Sequence, residues 1–262
     1  MLAIDTHAHV FSPEGPFASG SRYVPGYAAG THEWFALQNS VHVSHGVLVQ
    51  PSFYGTDNSV LLAALAEHPQ RLRGVVVVEP GVDRDTLERW DSAGVRGIRL
   101  NLWGGANLPP LDSSPWQSLF ANIGTLGWHV ELHAEGERLP EIFRRIGKAR
   151  VPLVIDHFGR PGADEGSVER VIGVIEEQAS VQPVFVKFSA PYRLEADVDL
   201  CARRLLASLG PSRLMWGSDW PWTNFEGRHD YIACRRWLDE WIPDEAQRAI
   251  VLHDTPARLF RF

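Results

Sequence analysis

The sequence predicts an α/β fold, specifically a (β/α)8 barrel forming a single domain over residues 1–262. Three observations point there. Eight short apolar runs rich in β-branched residues alternate with amphipathic stretches, the pattern of βα units around a parallel sheet. The length of 262 residues is close to that of one such barrel. Polar residues able to do chemistry recur at the carboxyl ends of the runs, which is where a barrel carries its active site. An open, doubly wound sheet shares the alternation and is the structural alternative.

The expected strands are Leu2–Val10, Gly46–Pro51, Arg73–Val78, Val95–Leu102, Trp128–His133, Val151–His157, Val184–Ser189 and Arg213–Ser218. Runs such as Gly74-Val75-Val76-Val77-Val78 suit strands buried on both faces. Helices are expected over Asn58–Glu67, opened by Thr56-Asp57 and stopped by Pro69, and over Trp116–Leu126 behind Asp112-Ser113-Ser114-Pro115. Further helical spacing covers Glu165–Glu176, Glu195–Leu209 and His229–Trp241, and Asp254-Thr255-Pro256 opens a last short helix ending at Phe262. No repeat, low-complexity tract or linker interrupts this series.

Composition narrows the function. The net charge of −7 argues against a nucleic-acid surface, which needs a basic face, but leaves room for a local arginine cluster facing a small anion. No run approaches the roughly 20 apolar residues of a membrane span. Cys201 and Cys234, the only cysteines, read as reduced thiols in a cytoplasmic chain without a basic leader. A monomer or small homo-oligomer acting on an anionic small molecule is expected, with neither nucleic acid nor membrane as partner.

His7 and His9 lie two apart on the first strand, so their imidazoles point to one face and can converge on a metal ion or an oxyanion. The bland alternative is a hydrogen-bonded core pair; histidines and a carboxylate at other strand ends, His133, His157 and Asp219, favour chemistry. Asp5 shares their parity one layer deeper. His133, on one face with Glu131, either completes a site of His7, His9, His133 and Asp219 suited to zinc or contacts substrate with no metal. His157 then supports the attacking water or the substrate carbonyl. Asp219, in Met215-Trp216-Gly217-Ser218-Asp219-Trp220-Pro221, is the candidate general base for water; a helix cap is the alternative, disfavoured by Pro221 close behind.

Arg99, Arg160 and Arg193 follow the fourth, sixth and seventh strands and suit bidentate capture of carboxylates, although each alone is commonly a surface ion-pair partner. Ser52, Tyr54, Tyr23 and Tyr192 are candidate donors to a carboxylate or lactone oxygen. Lys187 reads first as an ion-pair partner and second as an electrophile or carbamylated ligand. Most of the ten tryptophans read as packing; Trp103, Trp220 and Trp222 follow strand ends and could wall a pocket.

These motifs resemble the amidohydrolase superfamily (amidohydrolase-2 type), and within it the lactonase branch that includes 2-pyrone-4,6-dicarboxylate lactonases. The likeness runs through Ile4-Asp5-Thr6-His7-Ala8-His9, Arg22-Tyr23-Val24-Pro25, Gln50-Pro51-Ser52, Tyr54-Gly55-Thr56-Asp57-Asn58 and Gly97-Ile98-Arg99-Leu100-Asn101. It continues through Asp156-His157-Phe158-Gly159-Arg160-Pro161, Lys187-Phe188-Ser189, Tyr192-Arg193 and Gly217-Ser218-Asp219-Trp220-Pro221. The resemblance implies a distorted barrel that opens a lactone ring carrying carboxylates, with His7, His9, His157 and Asp219 at the core and Arg99 and Arg193 clamping carboxylates. It implies either one divalent metal or metal-free action. Two departures touch the substrate region: Trp103-Gly104-Gly105 stands where further basic residues are expected, and Trp222 stands where relatives often carry His. The expected function is lactone hydrolysis. The rivals are a zinc-dependent decarboxylase with the same site, which would release carbon dioxide, and a catalytically silent small-acid binding protein, which would bind without turnover.

Overall fold

In a computed structural model, residues 3–147 and 149–262 of the chain are described. Eight parallel strands run in sequence order around one sheet: β1 (Ile4–Ala8), β2 (His45–Val49), β3 (Leu72–Val76), β4 (Val95–Asn101), β5 (His129–His133), β6 (Leu153–Ile155), β7 (Val184–Phe188) and β8 (Leu214–Trp216). Each expected strand is present, in shortened form; Leu2, the expected start of the first, lies outside the described residues. The sheet closes through chain just beyond β8: Asp219 N donates to His7 O (2.8 Å), His9 N donates to Trp220 O (2.9 Å) and Ala8 bridges Trp220. Closure by a bridge and two bonds, without a full ladder, is the distortion of this barrel.

The helices that clothe the sheet are α1 (Thr31–Ser40), α2 (Ser59–Glu67), α3 (Arg84–Ser92), α4 (Ser114–Thr125), α5 (Leu139–Ile146), α6 (Ser167–Val181), α7 (Val198–Leu209), α8 (Tyr231–Trp241), α9 (Glu245–Ala249) and α10 (Thr255–Phe260). Four of them, α1, α3, α5 and α9, have no counterpart among the expected helices. α1 buries only Trp34 and Gln38 and α3 only Leu87, so neither shows an apolar stripe. α5 does bury a regular set, Leu139, Ile142, Phe143 and Ile146, but it is only 8 residues long and carries Pro140 in its first turn. The last short helix does begin at Thr255, and ends at Phe260 rather than Phe262, but it is not a fresh start. Asp254 has helical dihedrals and caps nothing with its side chain; α9 runs through a π turn (Ile250–Asp254) into α10. Pro256 lacks the N–H that a regular ladder would need there.

Inside the barrel, Ile4, Val47, Val49, Val75, Val154, Phe185 and Met215 pack into one apolar layer, and Phe260 of α10 covers it from the amino-terminal side. The register of β1 against β2 shifts between Asp5 and Ala8. Period-two alternation is broken by that shift. Ile4 therefore points into the barrel, while Asp5 points outward to Trp34 of α1 and Tyr231 of α8 instead of sharing a face with His7. Cys201 and Cys234 are free and buried. Among the described residues, no helix is long and apolar enough to cross a membrane.

Candidate active site

Above the apolar layer the barrel carries a layer of charge. Lys187 Nζ donates to Glu131 Oε2 (2.5 Å), approaches His7 Nδ1 (3.2 Å) and lies 3.6 Å from Asp156 Oδ1. Arg99 Nη2 donates to Asp156 Oδ2 (3.1 Å), and its Nε lies 3.8 Å from Glu131 Oε1. Two acids thus balance two cations in a buried layer, as buried charges require. Burial pushes the Asp156 carboxyl up, but His7, Lys187 and Arg99 outweigh it and hold the group well below the usual range. Lys187 is an ion-pair partner here, the first of its two expected readings.

The next layer faces the mouth. Asp219 Oδ1 lies 3.5 Å from His7 Nε2, 3.8 Å from His9 Nε2 and 4.0 Å from His157 Nε2. Its other oxygen, Oδ2, accepts from Arg193 Nε (2.7 Å) and Tyr192 Oη (2.6 Å). One carboxylate oxygen is therefore engaged and the other is presented to three imidazoles. Burial raises the Asp219 carboxyl, yet Arg193 and then the imidazoles outweigh it, so it stays ionised well below the ordinary value. Burial also lowers the imidazoles: His9, beside His7 and Arg99, to about 3, and His157 and His133 well below the usual histidine value.

Backbone geometry serves this convergence. Asp219 and His157 adopt positive φ, 57° and 51°, an uncommon conformation for non-glycine residues that turns each side chain back over the barrel. Gly217 lets the eighth strand lie against the first; a β-carbon there would stand 2.6 Å from His7 Cβ.

The donor set fits a divalent cation. His9 Nδ1 lies 2.7 Å from Val49 O, an acceptor only, so the ring carries its proton on Nδ1 and turns a lone pair at Nε2 toward Asp219. His157 Nδ1 is engaged by Ser189 Oγ (2.8 Å), and buried His7 Nε2 has no hydrogen-bond partner. Ligand atoms of His7, His157 and Asp219 lie within 4.8 Å of one another, with His9 adjacent. The expectation that His133 completes the set does not match the geometry. Its Nδ1 and Nε2 face the guanidiniums of Arg99 and Arg160, each at 3.4 Å, and it belongs to neither cluster of potential ligands among the described residues. His157 stands where His133 was expected.

These groups open into a cavity of about 290 Å³, small for a ligand site, whose lining includes His9, Arg22, Ser52, Arg99, Trp103 and Arg193. Ser52 and Tyr23 line it as expected, although the Tyr23 hydroxyl is spent on Glu226. Tyr54 does not reach the cavity: its hydroxyl accepts from Ser12 N and donates to Ser12 O, both at 2.8 Å, pinning the loop after β1. Tyr192 reaches Asp219 rather than the open space, and Arg193 divides its guanidinium between Asp219 and Thr223 O (2.9 Å). Arg160 stacks on Trp103 (3.4 Å to the ring centre) and donates to Arg193 O (2.6 Å). Of the three pocket tryptophans, Trp103 lines the cavity; Trp220 is buried against Trp34, and Trp222 donates to Ser218 O. Sequence reasoning passed over Arg22 as a site residue. Its only signal was its place beside Tyr23 in the motif.

A closed eight-stranded barrel with histidines, an ionised aspartate and arginines at its carboxyl face defines a barrel hydrolase. The amidohydrolase family model matches residues 4–262, and the chain belongs to that family. It is 31% identical to a 2-pyrone-4,6-dicarboxylate hydrolase of Comamonas testosteroni over 98% of this chain and 90% of the relative. It is 28% identical to a 4-sulfomuconolactone hydrolase of Rhizobium radiobacter over 98% and 89%. A crystal structure from Acinetobacter baumannii, provisionally assigned as a 2-pyrone-4,6-dicarboxylic acid hydrolase and holding citric acid, superposes with a TM-score of 0.93 at 32% identity, covering both chains completely.

Proposed function

We propose that the protein hydrolyses the lactone ring of a carboxylated small molecule, of the 2-pyrone-4,6-dicarboxylate or muconolactone kind, with Asp219 as the base for water. The observation that carries this reading is the division of labour within one carboxylate. Oδ2 is fixed by Arg193 and Tyr192, and Oδ1 is free toward the imidazoles. Names of the relatives supply the class of ring; the small cavity with Arg22, Arg99 and Arg193 in its wall supplies the preference for an anion.

In this reading Oδ1 takes a proton from a water molecule as the water oxygen bonds to the lactone carbonyl carbon. Electron density moves onto the carbonyl oxygen. Collapse of the tetrahedral species breaks the ring carbon–oxygen bond, and the proton held on Asp219 passes to the departing ring oxygen. One water is consumed, a carboxylic acid and a hydroxyl or enol are formed, and the new acid loses its proton to solvent to leave a carboxylate. The Arg193 ion pair keeps Asp219 ionised before the step and orients Oδ1 during it. Zinc or a similar divalent ion, held by His7, His9, His157 and Asp219, would supply Lewis-acid polarisation of the carbonyl. Arg99 and Arg193 border the space where substrate carboxylates would lie.

The test is Asp219→Asn. Ring opening of 2-pyrone-4,6-dicarboxylate and of a muconolactone, followed by absorbance, should fall by about 10²–10⁴-fold. The circular dichroism spectrum should be retained. Turnover equal to wild type in that variant sinks the assignment. Zinc content measured on the same two preparations should fall in the variant, because one of four candidate ligands has become neutral.

A further inference from the structure

Charge around the cavity does not balance. Three guanidiniums line it: Arg22, Arg99 and Arg193. Arg99 is paired with Asp156 at 3.1 Å and Arg193 with Asp219 at 2.7 Å. Arg22 is paired with no carboxylate among the described residues. Its Nη2 donates to Trp103 O (3.1 Å) and its Nη1 to Gly104 O (3.4 Å), so two carbonyls hold it in place without cancelling its charge.

Arg22, Ser52, Phe53 and Asn101 also line a second cavity, of about 300 Å³, on the far side of the arginine. The arginine therefore stands in a partition that two open spaces share. Two neighbours there have unused hydrogen-bonding capacity. Asn101 bonds through neither atom of its side-chain amide within the described residues, so its Nδ2 is available to donate, and the Ser52 hydroxyl likewise bonds to nothing there. An amide, a hydroxyl and an unneutralised guanidinium form a recognition set for a carboxylate.

The loop after β4 is shaped to receive this side chain. Gly104 has φ +72°, and a β-carbon there would collide with Arg22 Nη1. The Gly104 N–H is held from the opposite side by Glu135 Oε1 (2.8 Å), which fixes the peptide whose carbonyl accepts from Arg22. Trp103-Gly104-Gly105, the departure noted in the sequence, thus brings a cation to the cavity from the loop after β1 rather than from β4 itself.

We propose that Arg22, seated on Trp103 and Gly104 with Asn101 and Ser52 beside it, is the specificity-determining residue that holds a second substrate carboxylate, the one remote from the bond that breaks. The assignment rests on the lactonase reading for the reaction it serves, but its binding function stands apart from turnover. It selects ring dicarboxylates over monocarboxylates of the same size.

Two flat acids with no bond to hydrolyse separate these claims: isophthalate, a ring 1,3-dicarboxylate, and benzoate. Calorimetric titration of the wild-type protein should show tighter binding of isophthalate. Arg22→Gln should weaken isophthalate about 10- to 100-fold, toward the benzoate value, and leave benzoate within about twofold. Gly104→Ala should reproduce that selective loss with Arg22 intact, because the guanidinium is displaced. Retained melting temperatures confine both effects to the site. No preference for isophthalate in wild type, or equal losses for both acids in Arg22→Gln, overturns the proposal. A wild type that prefers isophthalate but opens no lactone upholds Arg22 and removes the lactonase reading. One that opens lactones, with isophthalate affinity unchanged in Arg22→Gln, does the reverse.

Discussion

Asp5 shows how one side chain can set the distance between others. Its Oδ1 accepts from Ser218 N (2.9 Å) and His7 N (3.2 Å), and its Oδ2 from Ser218 Oγ (2.6 Å), Tyr231 Oη (2.7 Å) and Trp34 Nε1 (3.1 Å). Five donors from the first strand, the chain beyond the eighth, and two helices meet on one carboxylate. His7 supplies one of these donors and Asp219 directly follows Ser218, which supplies two, so Asp5 acts as a positioning residue. Asp5→Asn replaces one acceptor oxygen with an amide nitrogen that faces donors. It should cost about 2–5 kcal/mol of unfolding free energy and lower kcat more than it raises KM. Urea denaturation checks the first part, and a stability equal to wild type refutes it. Strand periodicity and strand-end position make His7, His9 and Asp219 legible as one cluster in a string of letters; His157 joins them at the core only through the family resemblance, the residues alone placing it in support of the water or the substrate carbonyl. The role of Asp5 was not readable, since a register shift leaves no mark on composition.

Elements were legible in proportion to their patterning. All eight strands appear as apolar runs because both faces are buried. α1 and α3 escaped notice because helices resting on a barrel through one or two side chains carry little stripe. His133 lines the cavity, as the second of its two expected readings has it, but stays out of the ligand cluster for a related reason. It does end β5 on the interior face, but periodicity says nothing about Arg160, which comes from the turn after β6 and meets the ring from another direction. β5 carries a second consequence at its start. His129 is buried on the same face, with neither ring nitrogen hydrogen-bonded, and burial lowers it below 6.5. The folded protein therefore resists a proton that the unfolded chain accepts. Stability should fall as pH drops below about 6.5, with a contribution of up to about 1.4 kcal/mol per pH unit from this residue. His129→Leu should flatten that slope between about pH 7 and 5 in denaturation midpoints; an unchanged slope refutes the account.

At the scale of the whole molecule, the long connection from β1 to α1 crosses the mouth and is fastened on two sides. Tyr23 and Tyr27 donate to Glu226 beyond β8, and Arg22 grips the turn beyond β4. These fastenings lie at the surface, so little stability depends on them. Glu226→Ala should raise KM about three- to tenfold with kcat nearly unchanged, and steady-state kinetics on the preferred lactone would show it; an unaltered KM argues that the strap does not bear on binding. Among the described residues, the opposite end of the barrel has no such opening. Phe260 and the seven interior apolar side chains seal it, and the Lys187–Glu131–Asp156 layer fills the space above. Entry and departure therefore share one doorway. In the lactonase reading, ring opening adds a negative charge to the departing molecule, which must retreat past the same arginines that drew its precursor in. The clearance of the chamber is thus tied to the grip that loads it.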